Sequence, residues 1–429
     1  MDWIGRSVWL GSVFAVVVVA GWASASGAQD RVAYRDGDGQ WRWVEPGGQE
    51  TFVRKGGPSK ETIGPFNISY DDLLLETGVG FDDPVSGDAR RETLRSVFGY
   101  LSSVLDVPGI ADFQILSSQT DGTGPLATAG PFLSPATGFQ GGFVYDHLTT
   151  GIDPRADSLD GTVAVDFGYA WNSDTDETSQ IEFDLYTGLL HEITHALGFF
   201  SVVGPDAKSL LLNVENTGLL GLLDALLVRG STGERLYLAG GEINATAEDV
   251  SSGDVRFAGS RAESFFGQSP PVFASDPYVE ATSIGHWSNG VGSRAVMLAG
   301  LVRGDARRRY ASWELQALGD LGYDVVACGD GFPAGAEECD DGNTDDLDGC
   351  DSSCLSEGAM VPDAGIPDAM VPEDTPRQVA QPDAPQEPSP ADNLSQPSAG
   401  GCSVSAPSTG GVWLVLFALL LFRRRPRGT

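Results

Sequence analysis

His191-Glu192-Ile193-Thr194-His195 is the stretch on which the reading of this chain turns. It lies within residues 184–200, where Tyr186, Leu189, Leu190, Ile193 and Leu197 recur at i, i+3, i+4, i+7 and i+11, the spacing of one apolar helix face. Gly198 is placed to end that helix. One turn separates the two histidines, so both rings leave the same side and can reach a single ion, while Glu192 is rotated toward a water on that ion. The chain has 4 histidines, and two of them take this spacing with a carboxylate between them, which argues against coincidence. The expectation is a metal held by His191 and His195, with Glu192 as general base and the apolar face packed on a core.

A catalytic zinc site normally takes three protein ligands and keeps a position for water. A compact motif would place the third ligand three residues after Gly198, but that residue is Ser201. The preferred candidate is His286, in Ser283-Ile284-Gly285-His286-Trp287, followed by Met297 in Ala295-Val296-Met297-Leu298. Two rivals stand beside it. Glu215 follows His191 by 215 − 191 = 24 positions, a separation similar to that of thermolysin-like sites, and a helix over residues 210–227 would present it. His147, in Tyr145-Asp146-His147-Leu148, is expected on a surface or loop.

The run His191-Glu192-Ile193-Thr194-His195-Ala196-Leu197-Gly198-Phe199, a long insertion, His286-Trp287 and then Met297 together resemble the leishmanolysin-type metzincins and their bacterial relatives. The resemblance covers about residues 161–326. It implies an α+β domain with a mixed sheet and an active-site helix, one Zn2+ on His191, His195 and His286, and Met297 on a turn beneath the metal. It also implies hydrolysis of peptide bonds in protein or peptide substrates. By the same analogy residues 161–170 form an edge strand above the cleft, where an extended peptide can pair. The chain departs from the pattern in two places: the insertion carries no cysteine, and Ala299 stands where a tyrosine would supply an oxyanion stabiliser. Two other readings compete. A surface binding or adhesion protein with a non-catalytic zinc site would have no use for Glu192, and a structural zinc module would favour thiolates, which the motif lacks.

Outside the motif, composition sets the frame. With 26 basic against 60 acidic residues and a formal charge of -34, the chain is a poor partner for nucleic acid, which is held by Lys and Arg. Residues 1–28 carry an apolar stretch including Val16-Val17-Val18-Val19 and leave through Ala23-Ser24-Ala25-Ser26-Gly27-Ala28, the form of a secretory signal. Residues 29–327 alternate strand-like and helix-like patterns and are expected to form one α+β catalytic domain. Within it, residues 66–70, 111–117 and 161–170 read as strands and residues 88–105 as a helix. No cysteine precedes Cys328, so a thiolate latch on the metal is excluded; whether residues 29–60 inhibit in another way is left open.

Cys328, Cys339, Cys350 and Cys354 in residues 328–355 resemble one copy of a short cysteine-rich repeat of myxobacterial surface proteins, with two disulfides in any of three pairings. Its Asp/Asn density offers oxygens to Ca2+, but Asp346 stands where an EF-hand loop needs glycine, so a solvated acidic loop is expected. Residues 356–400 are a Pro/Asp-rich linker without core-forming residues. Residues 401–429, with Cys402, an apolar run and Arg423-Arg424-Arg425, resemble a myxobacterial C-terminal sorting tail. That tail implies a processing enzyme as partner, display or release at the cell surface, and membrane contact through the tail alone; a permanent single-pass anchor is the rival reading.

Overall fold

The computed structural model describes residues 32–35, 40–44, 60–117, 121–156, 158–211 and 218–326, with residue 329 and most of 338–357. The expected signal segment, nearly all of the linker, the sorting tail and Glu215 lie outside the described residues.

A hairpin of β1 (Val32–Arg35) and β2 (Trp41–Val44) precedes the central sheet, which five strands build: β3 (Lys60–Ile63), β4 (Phe66–Tyr70), β5 (Ala111–Ser117), β6 (Ala127–Pro131) and β7 (Gly161–Val165). They lie side by side in the order β3-β4-β5-β7-β6. The interior pairs β4/β5 and β5/β7 are parallel, whereas β3 and β6 run antiparallel to their neighbours at the two edges. The register puts Ile68 opposite Phe113, Ile115 opposite Val163 and Val163 opposite Ala129. Side chains alternate along each strand, so these residues share one face. Helix α1 (Gly87–Val104) covers that face with Leu94, Val97, Phe98 and Leu101, and the Phe98 ring lies 4.9 Å from Phe66 and 5.4 Å from Phe113. Each such side chain removed from water contributes about 1.5–3 kcal/mol.

The remaining elements that matter for the site are helix α2 (Phe143–Thr150), helix α3 (Leu185–Ala196), helix α4 (Ser260–Phe266) and helix α5 (Ser312–Leu321). The fold is mixed α+β, as the sequence pattern suggests. Strands over residues 66–70 and 111–117 and a helix near 88–105 are present.

Three expectations are corrected. The regular strand near residue 161 ends at Val165, and it is interior rather than at an edge: β7 is hydrogen-bonded on both sides, and the edge beside it is β6. The alternation in Val163, Val165, Phe167 and Tyr169 reports partial burial, not position in a sheet. The sequence of β6, Ala127-Thr128-Ala129-Gly130-Pro131, has little strand propensity, although Pro131, with no N–H to donate, suits an edge. Second, α3 is shorter than residues 184–200 and has no solvated face, since every residue from Leu185 to Ala196 is buried. Third, residues 210–227 do not form a helix where they are described; Leu219–Gly221 is a short strand and Leu223–Leu226 a single 3-10 turn.

The domain closes where Asp324–Val325 pairs with Leu105–Asp106. Beyond it, Cys339 and Cys350 form a disulfide with Cα atoms 5.8 Å apart, which selects among the three pairings left open, and Cys354 is disulfide-bonded as well.

Candidate metal centre

Asp184 caps α3: its Oδ1 accepts the Thr187 N–H at 2.8 Å, and the Arg308 guanidinium braces the carboxylate from outside. Gly198 follows the helix at φ +107°, a conformation costly to any residue with a Cβ. The turn it makes brings the Phe199 carbonyl back over the helix end, where it accepts from His195 Nδ1 at 2.7 Å. Gly198→Ala is therefore expected to cost about 1–3 kcal/mol and to weaken metal binding by unseating His195; thermal melting with and without metal checks both.

The other two imidazoles are pinned the same way. His191 Nδ1 lies 2.8 Å from the Val296 carbonyl and His286 Nδ1 lies 2.7 Å from the Thr282 carbonyl. A carbonyl oxygen only accepts, so each Nδ1 must carry the proton, and each Nε2 presents a lone pair. Those three lone pairs face one another: His286 Nε2 is 3.2 Å from His191 Nε2 and 3.1 Å from His195 Nε2. No proton lies between them to relieve the repulsion, so the arrangement calls for a cation. Zinc at about 2.0–2.1 Å from each nitrogen sets tetrahedral ligands about 3.3 Å apart, close to the spacing found. The residues present fit a metal ion.

Burial reinforces this. Solvent loss, then mutual repulsion with His286, drives His191 and His195 well below the ordinary imidazole range, and burial takes His286 down to about 4. An unfolded imidazole titrates near 6.5, so between about 6.5 and 4 the unfolded chain binds more protons than the folded one. The stability carried by these neutral rings is present above pH 6.5 and lost as pH falls toward 4. The folded site, by contrast, meets little proton competition in that window. Zinc affinity, measured against a chelator corrected for its own protonation, is expected to stay level from pH 7.5 to 5 and to fall below about 4. A steep fall starting at 6.5 would contradict this.

His286 reaches the helix although it lies 286 − 196 = 90 positions beyond Ala196, the helix's last residue. Phe273 and His286 share a backbone hydrogen bond of 2.8 Å, and Trp287 N–H donates to the Met297 carbonyl at 2.8 Å. Met297 is fully buried in the main core. Behind this turn stands Glu314 of α5, which the sequence reading missed. Its carboxylate accepts the N–H groups of Val296 at 2.8 Å and Met297 at 2.7 Å and the indole N–H of Trp287 at 3.0 Å. Burial pushes Glu314 up to about 7 against the pull of those donors. Arg307, also missed, donates to the Ala295 carbonyl at 2.8 Å and the Gly300 carbonyl. The only sequence signal for Glu314 was an acid flanked by Trp313 and Leu315.

Glu192 lies on α3 between the two ligands and is fully buried. The cleft outside the imidazoles is lined by His195, His286, Phe200, Tyr278, Trp41 and Arg35, among others. Tyr278 gives its O–H to the Val203 carbonyl.

His147 is corrected from a surface or loop position to a buried one on α2, 8 % exposed. Its Nδ1 lies 2.8 Å from Asp160 Oδ2, a partner that offsets the cost of burial. His147, Asp112 and Asp153 bring ligand atoms within 4.8 Å of one another, a second donor set that could hold a cation. There the Lys60 ammonium stands 2.9 Å from Asp112, an ion pair that ties β3 to β5.

Fold and site together define an α+β domain with a buried three-histidine, metal-competent centre. Residues 325–355 match a family described as a domain of unknown function, DUF4215, which spans the cysteine-rich segment and not the three-histidine domain. No curated protein and no solved structure matches the chain.

Proposed function

We propose that the chain is a zinc-dependent endopeptidase of metzincin type, exported and held at or released from the cell surface. The observation that carries the reading is the meeting of three acceptor nitrogens, with a buried glutamate on the same helical turn as two of them. Zinc bound there would bring the pKa of a water near 7 and polarise a peptide carbonyl. The chain's own residues do the rest. The Nδ1–H bonds to Val296, Phe199 and Thr282 fix the rings in the ligating tautomer and direction. Glu192 receives the proton of the attacking water and passes it to the leaving amine. In this reading the antiparallel edge strand β6, rather than residues 161–170, aligns an extended substrate. Met297, held by Glu314, closes the floor without polar competition for the metal.

Zinc-loaded protein is expected to hydrolyse a mixed peptide library, and a chelator should abolish this until zinc is restored. A protein that binds one zinc tightly yet cleaves nothing would instead be a surface binding protein with a non-catalytic site.

A further inference from the structure

The second donor set lies apart from the three-histidine centre, and none of its residues lines the cleft. Asp112 stands at the start of β5, His147 belongs to α2, and Asp153 sits in the connection that leaves α2 and reaches β7 at Gly161. Their ligand atoms lie within 4.8 Å of one another. An imidazole sets this group apart from an acidic surface patch, and so does burial: Asp112 is 3 % exposed and His147 8 %.

A fourth residue orients the imidazole. Asp160 Oδ2 lies 2.8 Å from His147 Nδ1 and also accepts the Asp112 N–H at 2.8 Å. A carboxylate accepts, so the proton sits on Nδ1 and Nε2 keeps its lone pair, the tautomer that a carboxylate imposes on metal-binding histidines. Asp160 is fully buried, yet its other oxygen, Oδ1, has no hydrogen-bond partner. A buried carboxylate oxygen without a donor is costly unless a cation answers it.

Charge points the same way. Asp112, Asp153 and Asp160 bring three negative charges, and the Lys60 ammonium, 2.9 Å from Asp112 Oδ1, returns one positive charge. Two negative charges remain in a largely buried place, the number that a divalent ion cancels.

We propose that His147, Asp112 and Asp153, backed by Asp160, bind a second metal, a divalent ion of the manganese class, which fastens α2, β5 and the connection between α2 and β7. Carboxylate oxygens around a single imidazole make a harder donor set than the three nitrogens of the other centre, and oxygen-rich sites suit Mn2+. The role is structural. Residues 151–160 carry no helix or strand where they are described, and the chain has no cysteine before Cys328 with which to staple them. The inference stands apart from the peptidase reading.

The test uses the full chain with one equivalent of zinc already bound. Mn2+ is titrated in and followed by electron paramagnetic resonance, with thermal melting in parallel. The proposal expects one Mn2+ per chain, coupled to one imidazole nitrogen, and a melting temperature about 5 °C higher at saturating Mn2+. Asp153→Asn keeps an oxygen for the Arg155 N–H, which Asp153 Oδ1 accepts at 2.8 Å. That variant should therefore melt like wild type without Mn2+ and bind Mn2+ more weakly by about tenfold or more. His147→Gln should remove the nitrogen coupling. Failure of the zinc-loaded wild type to bind Mn2+ overturns the proposal. So does binding that Asp153→Asn and His147→Gln both leave unchanged, and so does binding that disappears in His286→Ala, which would place the ion in the three-histidine centre. None of these results bears on the peptidase reading, which hydrolysis tests separately.

Discussion

Glu192→Gln is expected to keep zinc and fold while losing about 10²- to 10⁴-fold in peptide hydrolysis, the span that a positioned general base supplies. The amide matches the carboxylate in shape, so the fully buried position is neither emptied nor overfilled. The three imidazoles are untouched, because their tautomers are set by the Val296, Phe199 and Thr282 carbonyls and not by Glu192. The loss should fall on kcat with little change in zinc content. Steady-state kinetics and metal analysis on the same sample check this; a variant that hydrolyses as well as wild type removes Glu192 from the chemistry.

Glu314→Ala should be among the most damaging changes that touch neither metal nor substrate. It leaves the N–H groups of Val296 and Met297 and the Trp287 indole N–H without their buried acceptor. Stranded buried donors cost about 1–3 kcal/mol apiece, and removal of one member of a buried charged network about 3–5 kcal/mol in all. The consequence for the site follows from position: Val296 is the residue whose carbonyl orients His191, so zinc affinity should also drop, by about 10- to 100-fold, as supporting contacts to ligands commonly do. Chemical denaturation of the metal-free protein and zinc titration separate the two effects. A loss of stability with unchanged zinc affinity would show that Glu314 supports the core but not the ligand.

What the sequence made legible, and what it hid, follows from the kind of physics involved. Helix α3 was readable because burial writes a 3.6-residue period into the chain, and its end was readable because Gly198 occupies a conformation that other residues avoid. The period understated the burial, however. Gly188, Thr194 and the two histidines are also covered, by groups such as the Trp171 ring beside Gly188 and Tyr310, whose hydroxyl meets Thr194 at 2.5 Å. Such cover comes from distant segments and leaves no local pattern. His286 was singled out through the family resemblance carried by His286-Trp287 and Met297, not through any periodicity.

The carbonyls that orient the rings were invisible for a simpler reason. Every residue carries a carbonyl, so nothing in the letters at Val296, Phe199 or Thr282 marks them. The sheet edge was misplaced because side-chain alternation describes faces, whereas an edge is a matter of which backbone groups lack a partner. Likewise Arg35 reads as an ordinary cation near the start of the chain until its bond to the Ala281 carbonyl is seen.

Zinc binding to the full chain and to His286→Ala, followed by calorimetry and by zinc X-ray absorption, bears most directly on the central claim. The account predicts one zinc per chain with three nitrogen neighbours at about 2.0–2.1 Å, and for His286→Ala one nitrogen fewer and an affinity lower by several orders of magnitude. One zinc bound equally well by both forms, or none bound by either, would contradict it.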